Sequence, residues 1–367
     1  MSNALDSLPR SDGFWMPAEW EAHTQTWLLW PVRTDTWRNG AKPAQRTFAE
    51  LAKTIAHFEP VTVCVPTEQY ENACAMLGDN IRVLEMAAND AWIRDCGPTF
   101  VLNQHGEVRG VDWIFNAWGG LEKGTYFPWD KDDLVAHKVL EVERLARYRA
   151  TICTEGGALH VDGEGTLMVV RPTVMNSNRN PNWSQSQLEV RLQHYLNVEK
   201  VIWLEDGVYG DETDGHIDNL ACFVRPSVVA LTWTDDENDP QYAISQAAYD
   251  VLSNTSDAKG RPLEIHKIHQ PGPLYMTEEE AIGIDKVAAA RYRCAEDRLA
   301  GSYINFYIAN GAVIVPTFND PHDEAALATL RDLFLDREVI GFYAREILLG
   351  GGNIHCITQQ QPAPHDS

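Results

Sequence analysis

The sequence predicts an α/β fold of similar modules whose strand starts meet near a common axis. Three observations carry that expectation. Four segments repeat one rhythm, in which a polar start leads into an apolar run, a turn and a second apolar run. Helical patterns fall between these segments. A segment near the end of the chain, GGGNIHCIT from Gly350, begins like a fifth copy but lacks its second strand.

Taken in order, the run HTQTWLLWP from His23 is β-rich and can supply the strand missing from the last copy, closing a ring. Residues 43–58 place Phe48, Leu51, Ile55 and Phe58 on one helical face after a helix-starting proline. The first repeat, RDCGPTFVLNQHGEVRGVDW from Arg94, turns at His105-Gly106. Residues 132–149 follow, with Leu134, Val135, Val139, Val142 and Leu145 at helical spacing. The second repeat, EGGALHVDGEGTLMVVRP from Glu155, turns at Asp162-Gly163. Ser184 and Gln187 form a capping box that opens the next helix, SQSQLEVRLQHYL. GHIDNLACFVRPSVVALTW from Gly215 turns at Arg225-Pro226, and GSYINFYIANGAVIVPTF from Gly301 turns at Asn310-Gly311. Three of the four turns contain the glycine that hairpins favour. Further helices are expected at 240–253 and 321–336, and the polar stretches 234–241 and 254–262 read as surface loops. No Pro/Gly/Ser-rich linker interrupts the chain, so residues 1–367 are expected to form a single domain with short polar N- and C-terminal tails.

The bulk numbers bound the partners. With 44% hydrophobic and 23% charged residues, the chain has the composition of a globular protein. Its formal net charge of -23 repels nucleic acid and anionic membranes and favours cationic small ligands. No run approaches the roughly 18 apolar residues of a membrane helix. The start, MSNALDSLPRSDGF, lacks the pattern of a secretory signal, so a cytoplasmic location is expected. Seven scattered cysteines with no C-x-x-C pair indicate neither a zinc ribbon nor a thioredoxin-like site.

Reactive residue types collect at the module starts: Trp92, Arg94 and Asp95 in WIRDCGP, and Glu155 and His160 in TEGGALH. DETDGHIDN adds Glu212, Asp214, His216 and Asp218, and GGNIHC adds Gly352, Asn353, His355 and Cys356. Each has a plainer explanation alone. WIRD reads as a buried Trp beside an ion pair, EGG as a turn, and Cys356 as a packed thiol. His216 and Asp218 would point the same way on a strand; they could be half of a metal site, but no further ligand cluster has the spacing. If the modules surround an axis, their starts converge and the residues form one site. Carboxylates beside a thiol disfavour the thiolate. They suit a cationic substrate, since planar guanidinium takes paired hydrogen bonds from carboxylates. The bound cation would then permit the thiolate to form.

WIRDCGPTF, EGGALH, NRNP (Asn178 to Pro181), DETDGHIDN, PGPLY, SYINFYIANG and GGGNIHCITQQQP together resemble the agmatine deiminases, guanidino-group modifying enzymes of the pentein superfamily. The resemblance runs over nearly the whole chain. It implies an α/β propeller of five ββαβ modules with pseudo-fivefold symmetry. It implies hydrolysis of agmatine to N-carbamoylputrescine and ammonia, without metal or organic cofactor, in putrescine formation from arginine. Residue by residue, Cys356 matches the nucleophile, His216 the general acid/base, Asp95 and Asp218 the carboxylates that orient the guanidinium, and Glu155 the acid that holds the histidine. Trp92 matches a pocket wall and Glu212 the group that meets the distal amine; Gly352 and Asn353 shape the nucleophile loop. A homo-oligomer, dimer or tetramer, is expected from the family. On extended backbone Arg94 and Cys96 would face away from Asp95, and His355 would point away from the site. The alternatives are an arginine or peptidylarginine deiminase or an amidinotransferase of the same fold, and a non-catalytic guanidine- or polyamine-binding protein.

Overall fold

Runs such as Val61–Val65 (VTVCV) and Thr166–Val170 (TLMVV) are buried at every position, as strands covered on both faces must be. The computed structural model describes residues 4–364; residues 1–3 and 365–367, the extremities of the expected polar tails, lie outside them. Among the described residues, five sheets share one strand order: an antiparallel hairpin, a crossover helix, and a third strand parallel to the second. The first joins Thr99–Asn103, Val108–Ile114 and Arg147–Cys153. The second joins His160–Val161, Thr166–Val170 and Lys200–Leu204. The third joins Ala221–Arg225, Val228–Trp233 and Glu264–His269, and the fourth Tyr307–Ala309, Ala312–Thr317 and Glu338–Tyr343.

The fifth sheet is built from both ends of the chain. Gln359–Pro362 pairs antiparallel with His23–Leu29, which pairs parallel with Val61–Val65 across the helix Lys42–Ile55. The missing strand is therefore supplied as the sequence predicts. Three hairpin turns take positive φ at their glycines, Gly106, Gly163 and Gly311. The turn at Arg225-Pro226 has no glycine; Ser227 takes φ 62° instead, beside a register shift between Phe223 and Arg225.

The expected helices at 240–253 and 321–336 form as Gln241–Ser253 and Asp323–Leu333. The Ser184 cap closes as a box: its Oγ accepts from Gln187 N, and Gln187 Oε1 accepts from Ser184 N at 2.9 Å. The helix expected over 43–58 ends at Ile55, leaving Phe58 in the following turn. The pattern at 132–149 divides. A 3-10 turn, Asp132–Leu134, leads into Val135–Val142, and Arg144 then takes φ 57°. Arg147 onward pairs with Val108–Ile114. Sheet pairing there overrides helical spacing, and Leu134 and Val142 are partly exposed.

What positions the site is the backbone before each first strand. Single helical turns stand at Ile93–Cys96, Gly156–Ala158 and Ile217–Leu220, with hydrogen-bonded turns at 303–304 and 354–357. These starts are turns rather than the extended backbone expected from sequence. One buried residue from each turn meets the others at the centre. Arg94 Nε donates to His355 O at 3.2 Å, and His355 Nδ1 lies 2.9 Å from Asp218 Oδ2. His355 N donates to Asn305 O at 3.2 Å, and Gly157 leaves no room for a Cβ against Asp218.

Leu51 is fully buried on the crossover helix of the module that joins the two chain ends, whereas Leu335 is 87% exposed. Leu51→Ala should lower stability in equilibrium urea unfolding by about 2–5 kcal/mol through lost transfer energy and a cavity. Leu335→Ala should stay within about 0.5 kcal/mol of the parent. Equal effects would contradict the placement of this core.

Candidate active site

Cys356 sits in the turn after the glycine run, where its environment is set by other modules. Its Sγ lies 3.2 Å from Asn305 Nδ2 and 3.6 Å from Asp218 Oδ2. Gly352 is packed so closely that a Cβ there would stand 3.1 Å from Sγ and 2.6 Å from the Trp92 ring. Burial, then the charges of Asp218 and Asp95, push the thiol pKa well above its ordinary range. This environment favours the protonated thiol over the thiolate.

Asp95 stands on the Ile93–Cys96 turn and accepts from Gly157 N at 2.9 Å and Trp118 Nε1 at 2.9 Å. Its pKa rises to about 6, through burial and the neighbouring Asp218 and Glu155, against the lowering effect of His216. His216 caps the turn that bears Asp218. Its backbone N–H donates to Asp211 Oδ2 at 3.1 Å, and its Nε2 lies 3.2 Å from Glu155 Oε2. Burial depresses the imidazolium, but Asp95, Glu155 and Asp218 outweigh it and lift the pKa to about 9. Glu155 is held in turn by Arg179, whose Nε donates at 2.7 Å. Despite burial, Arg179 and His216 hold its carboxyl below the usual range.

His216 Nδ1 and Asp218 Oδ1 are buried here without a hydrogen-bond partner. With Asp95 Oδ1 only 3.7 Å from His216 Nδ1, they leave acid/base and acceptor capacity beside Cys356. The aromatic wall is Trp92, stacked on Trp37 with centroids 5.1 Å apart, and Trp118, edge-on to Trp92 at 6.2 Å. Rings beside carboxylates suit a planar cation. Asp35, Asp90, Glu212, Arg291 and Arg293 line the same pocket. Glu212 is paired with Arg293 through two bonds, 2.6 and 2.8 Å, and Arg293 Nη2 also donates to Gly350 O.

Cys356, His216, Asp95, Asp218, Glu155, Trp92, Glu212 and Gly352 are thus brought to one place. Asn353 is different. Both polar atoms of its buried side chain lack a protein partner, while its backbone N–H faces Cys356 Sγ. Two expectations drawn from extended backbone change, and that for Arg94 holds. His216 and Asp218 share the site through a cap and a helical turn, not strand alternation. Arg94 turns behind the site, where its Nη1 lies 3.4 Å from Glu19 Oε1. His355 does not leave the site, because its ring bonds Asp218. Sequence reasoning missed Gly157 as a packing requirement: a Cβ there would stand 2.5 Å from His216 Nδ1 and 2.8 Å from both Asp95 Oδ1 and Asp218 Oδ2. It also missed Arg179, Asn305, Trp118 and the pocket arginines. Asn305 was detectable, because SYIN repeats the Ile-plus-polar step of GHID and GNIH. Among the described residues no group of three or more His, Cys, Asp or Glu is placed to hold a metal.

The profile of the Porphyromonas-type peptidyl-arginine deiminase family matches residues 15–362. The chain belongs to this family. Among its members, the agmatine deiminase of Pseudomonas aeruginosa strain LESB58 is 59% identical over 366 residues, 99% of each chain. That of Pseudomonas fluorescens is 57% identical over 364 residues, again 99% of each. The solved agmatine deiminase of Enterococcus faecalis superposes with a TM-score of 0.96 at 46% identity, covering 99% of this chain and 100% of that one. The fold is accordingly the pentein α/β propeller of five ββαβ modules.

The two shifted groups set a pH window. Asp95 loses its negative charge as pH falls through about 6, and His216 loses its proton as pH rises through about 9. If orientation needs the carboxylate and departure of ammonia needs the imidazolium, kcat/KM for ammonia release should be bell-shaped with limbs near those values. A profile flat from pH 5 to 8 would contradict the Asp95 assignment.

Proposed function

We propose that this protein is an agmatine deiminase that hydrolyses agmatine to N-carbamoylputrescine and ammonia. The observation that carries the reading is the buried thiol between two carboxylates, with His216 Nδ1 and Asp218 Oδ1 left unpaired. Full-length identity of 59% to a protein of that name supports it. The guanidinium lies against the Asp95 and Asp218 carboxylates, whose paired oxygens match its N–H groups. Its charge offsets theirs, and the Cys356 proton leaves to solvent.

The thiolate attacks the guanidinium carbon, forming a C–S bond and a tetrahedral adduct. His216 gives the proton on Nδ1 to the departing nitrogen, the C–N bond breaks, and ammonia leaves an S-alkylthiouronium. Neutral His216, oriented through Nε2 by Glu155, takes a proton from water as that water adds to the same carbon. Collapse of this adduct breaks the C–S bond and returns the thiolate, and the hydroxyl proton passes to solvent, leaving the neutral ureido product. Trp92 and Trp118 wall the guanidinium, and Gly352 allows the loop to approach it. The distal ammonium lies toward Glu212, which offers an acceptor oxygen while paired with Arg293. The reading extends to a cytoplasmic homo-oligomer.

Arginine is the second reading, because Arg291 lines the pocket and lies 3.9 Å from Glu212, half exposed. Arg293 is already committed to Glu212 and Gly350 O. An α-carboxylate would therefore meet Arg291 beside Glu212, Asp35 and Asp90. Product identification decides between these readings. Agmatine with the protein should give N-carbamoylputrescine and ammonia without added amine, at a kcat/KM far above that for arginine. Cys356→Ala should abolish turnover and still bind agmatine. A preference for arginine, a need for an amine acceptor, or turnover by Cys356→Ala would each overturn the reading.

A further inference from the structure

The His355 ring is enclosed between carboxylates on both sides. Its Nδ1 lies 2.9 Å from Asp218 Oδ2, and its Nε2 lies 2.8 and 3.0 Å from the two oxygens of Glu19. A neutral imidazole carries one N–H and one lone pair. One of these contacts would then set a lone pair against a carboxylate oxygen. With both carboxylates ionised, both contacts are hydrogen bonds only if the ring carries two protons. His355 and Glu19 are each 3% exposed, so water does not satisfy either group.

The ring bonds Asp218 Oδ2, the oxygen that lies 3.6 Å from the thiol, and leaves Oδ1 without a hydrogen-bond partner. Glu19 comes from the segment before the strand His23–Leu29 and touches no reacting atom. Its second partner is Arg94, at 3.4 Å, and His160 Nδ1 lies 3.8 Å from it. Resting on the deiminase reading above, we propose that His355 is a positioning residue. It is an imidazolium that, backed by Glu19, holds Asp218 ionised and turned so that Oδ1 faces the guanidinium.

The groups facing His355 come from four elements, and their signs decide its state. Glu19 and Asp218 supply negative charge, while Arg94, bonded through Nε to the His355 carbonyl, opposes the imidazolium. His160 stands beyond Glu19; burial lowers its pKa against the raising effect of Glu19. Burial and Arg94 pull His355 down, and Glu19 and Asp218 more than restore it. Asp218 in turn is held low, against its burial, by His355 first and then by His216 and Arg94. The second proton of the His355 ring is thus linked to the charge of the carboxylate that meets the substrate.

Two measurements on the full chain test this. Nitrogen-15 NMR of the histidine rings, with the His355 signals assigned by their loss in His355→Gln, should show two ring N–H protons from pH 6 to 8.5. In Glu19→Gln, which keeps an acceptor but removes the charge, one of those protons should be lost within that range. In His355→Gln, Asp218 loses an opposite charge that lowers a carboxylate by about 1–3 units. It should then titrate alongside Asp95, and the acid limb of kcat/KM for agmatine should move up and steepen from a slope of about one toward about two. A merely structural role would lower the plateau and leave the limb in place. A singly protonated His355 ring at pH 7, or an unmoved acid limb, would overturn the proposal. Failure of the deiminase reading would show separately, as wild-type protein that leaves agmatine unchanged while the ring spectrum stands.

Discussion

The burial of two carboxylates against one thiol is the constraint on which the rest of this structure depends. Asp95 and Asp218 are each 3% exposed, and Cys356 is 6% exposed. Like charges so placed in a medium of low effective dielectric constant repel strongly unless balanced. The fold supplies the balance from behind the site: Arg179 through Glu155 to His216, and His355 against Asp218. Asp218 Oδ1 and His216 Nδ1 are left without a hydrogen-bond partner. In the proposed mechanism a guanidinium completes that arrangement, which makes recognition and activation of the sulfur one electrostatic event.

The fivefold plan explains how such a site is assembled from distant parts of the chain. Each module begins with a turn before its first strand, and each turn points one residue toward the centre. Four of the five carry isoleucine just before that residue: Ile93, Ile217, Ile304 and Ile354, all buried. The apolar residue anchors the turn in its own module, which frees the next for chemistry. Gly157 is the exception, and its missing side chain is what lets His216, Asp95 and Asp218 approach one another. A motif that reads in sequence as a simple turn is therefore a steric condition for the site.

Much of this was legible in the sequence. The hairpins, four of the crossover helices and the pairing of the two chain ends follow from period and turn chemistry, which are local signals. The fifth crossover helix, over 132–149, was overextended because apolar spacing continued past Val142 into a strand. The orientation at the module starts was misread for a different reason. One helical turn is too short to show periodicity, so His216 and Asp218 were placed together by the wrong geometry and His355 was turned outward. The deeper partners left no local trace. Glu19 is 336 residues from His355, and Arg179, in the NRNP stretch, is 24 residues from Glu155, a partner that the motif by itself does not name. Contacts of that kind are properties of the closed ring.

The central claim is that substrate charge, rather than a resident base, makes the Cys356 thiolate. The direct measurement is ultraviolet thiolate absorbance of Cys356 against pH, taken as the difference from Cys356→Ala, with and without an unreactive guanidinium compound. The account predicts no Cys356 thiolate near neutral pH in the free protein and a marked downward shift of its apparent pKa when the cation is bound. A thiolate already present at neutral pH, or a titration that the bound cation leaves unmoved, would contradict it.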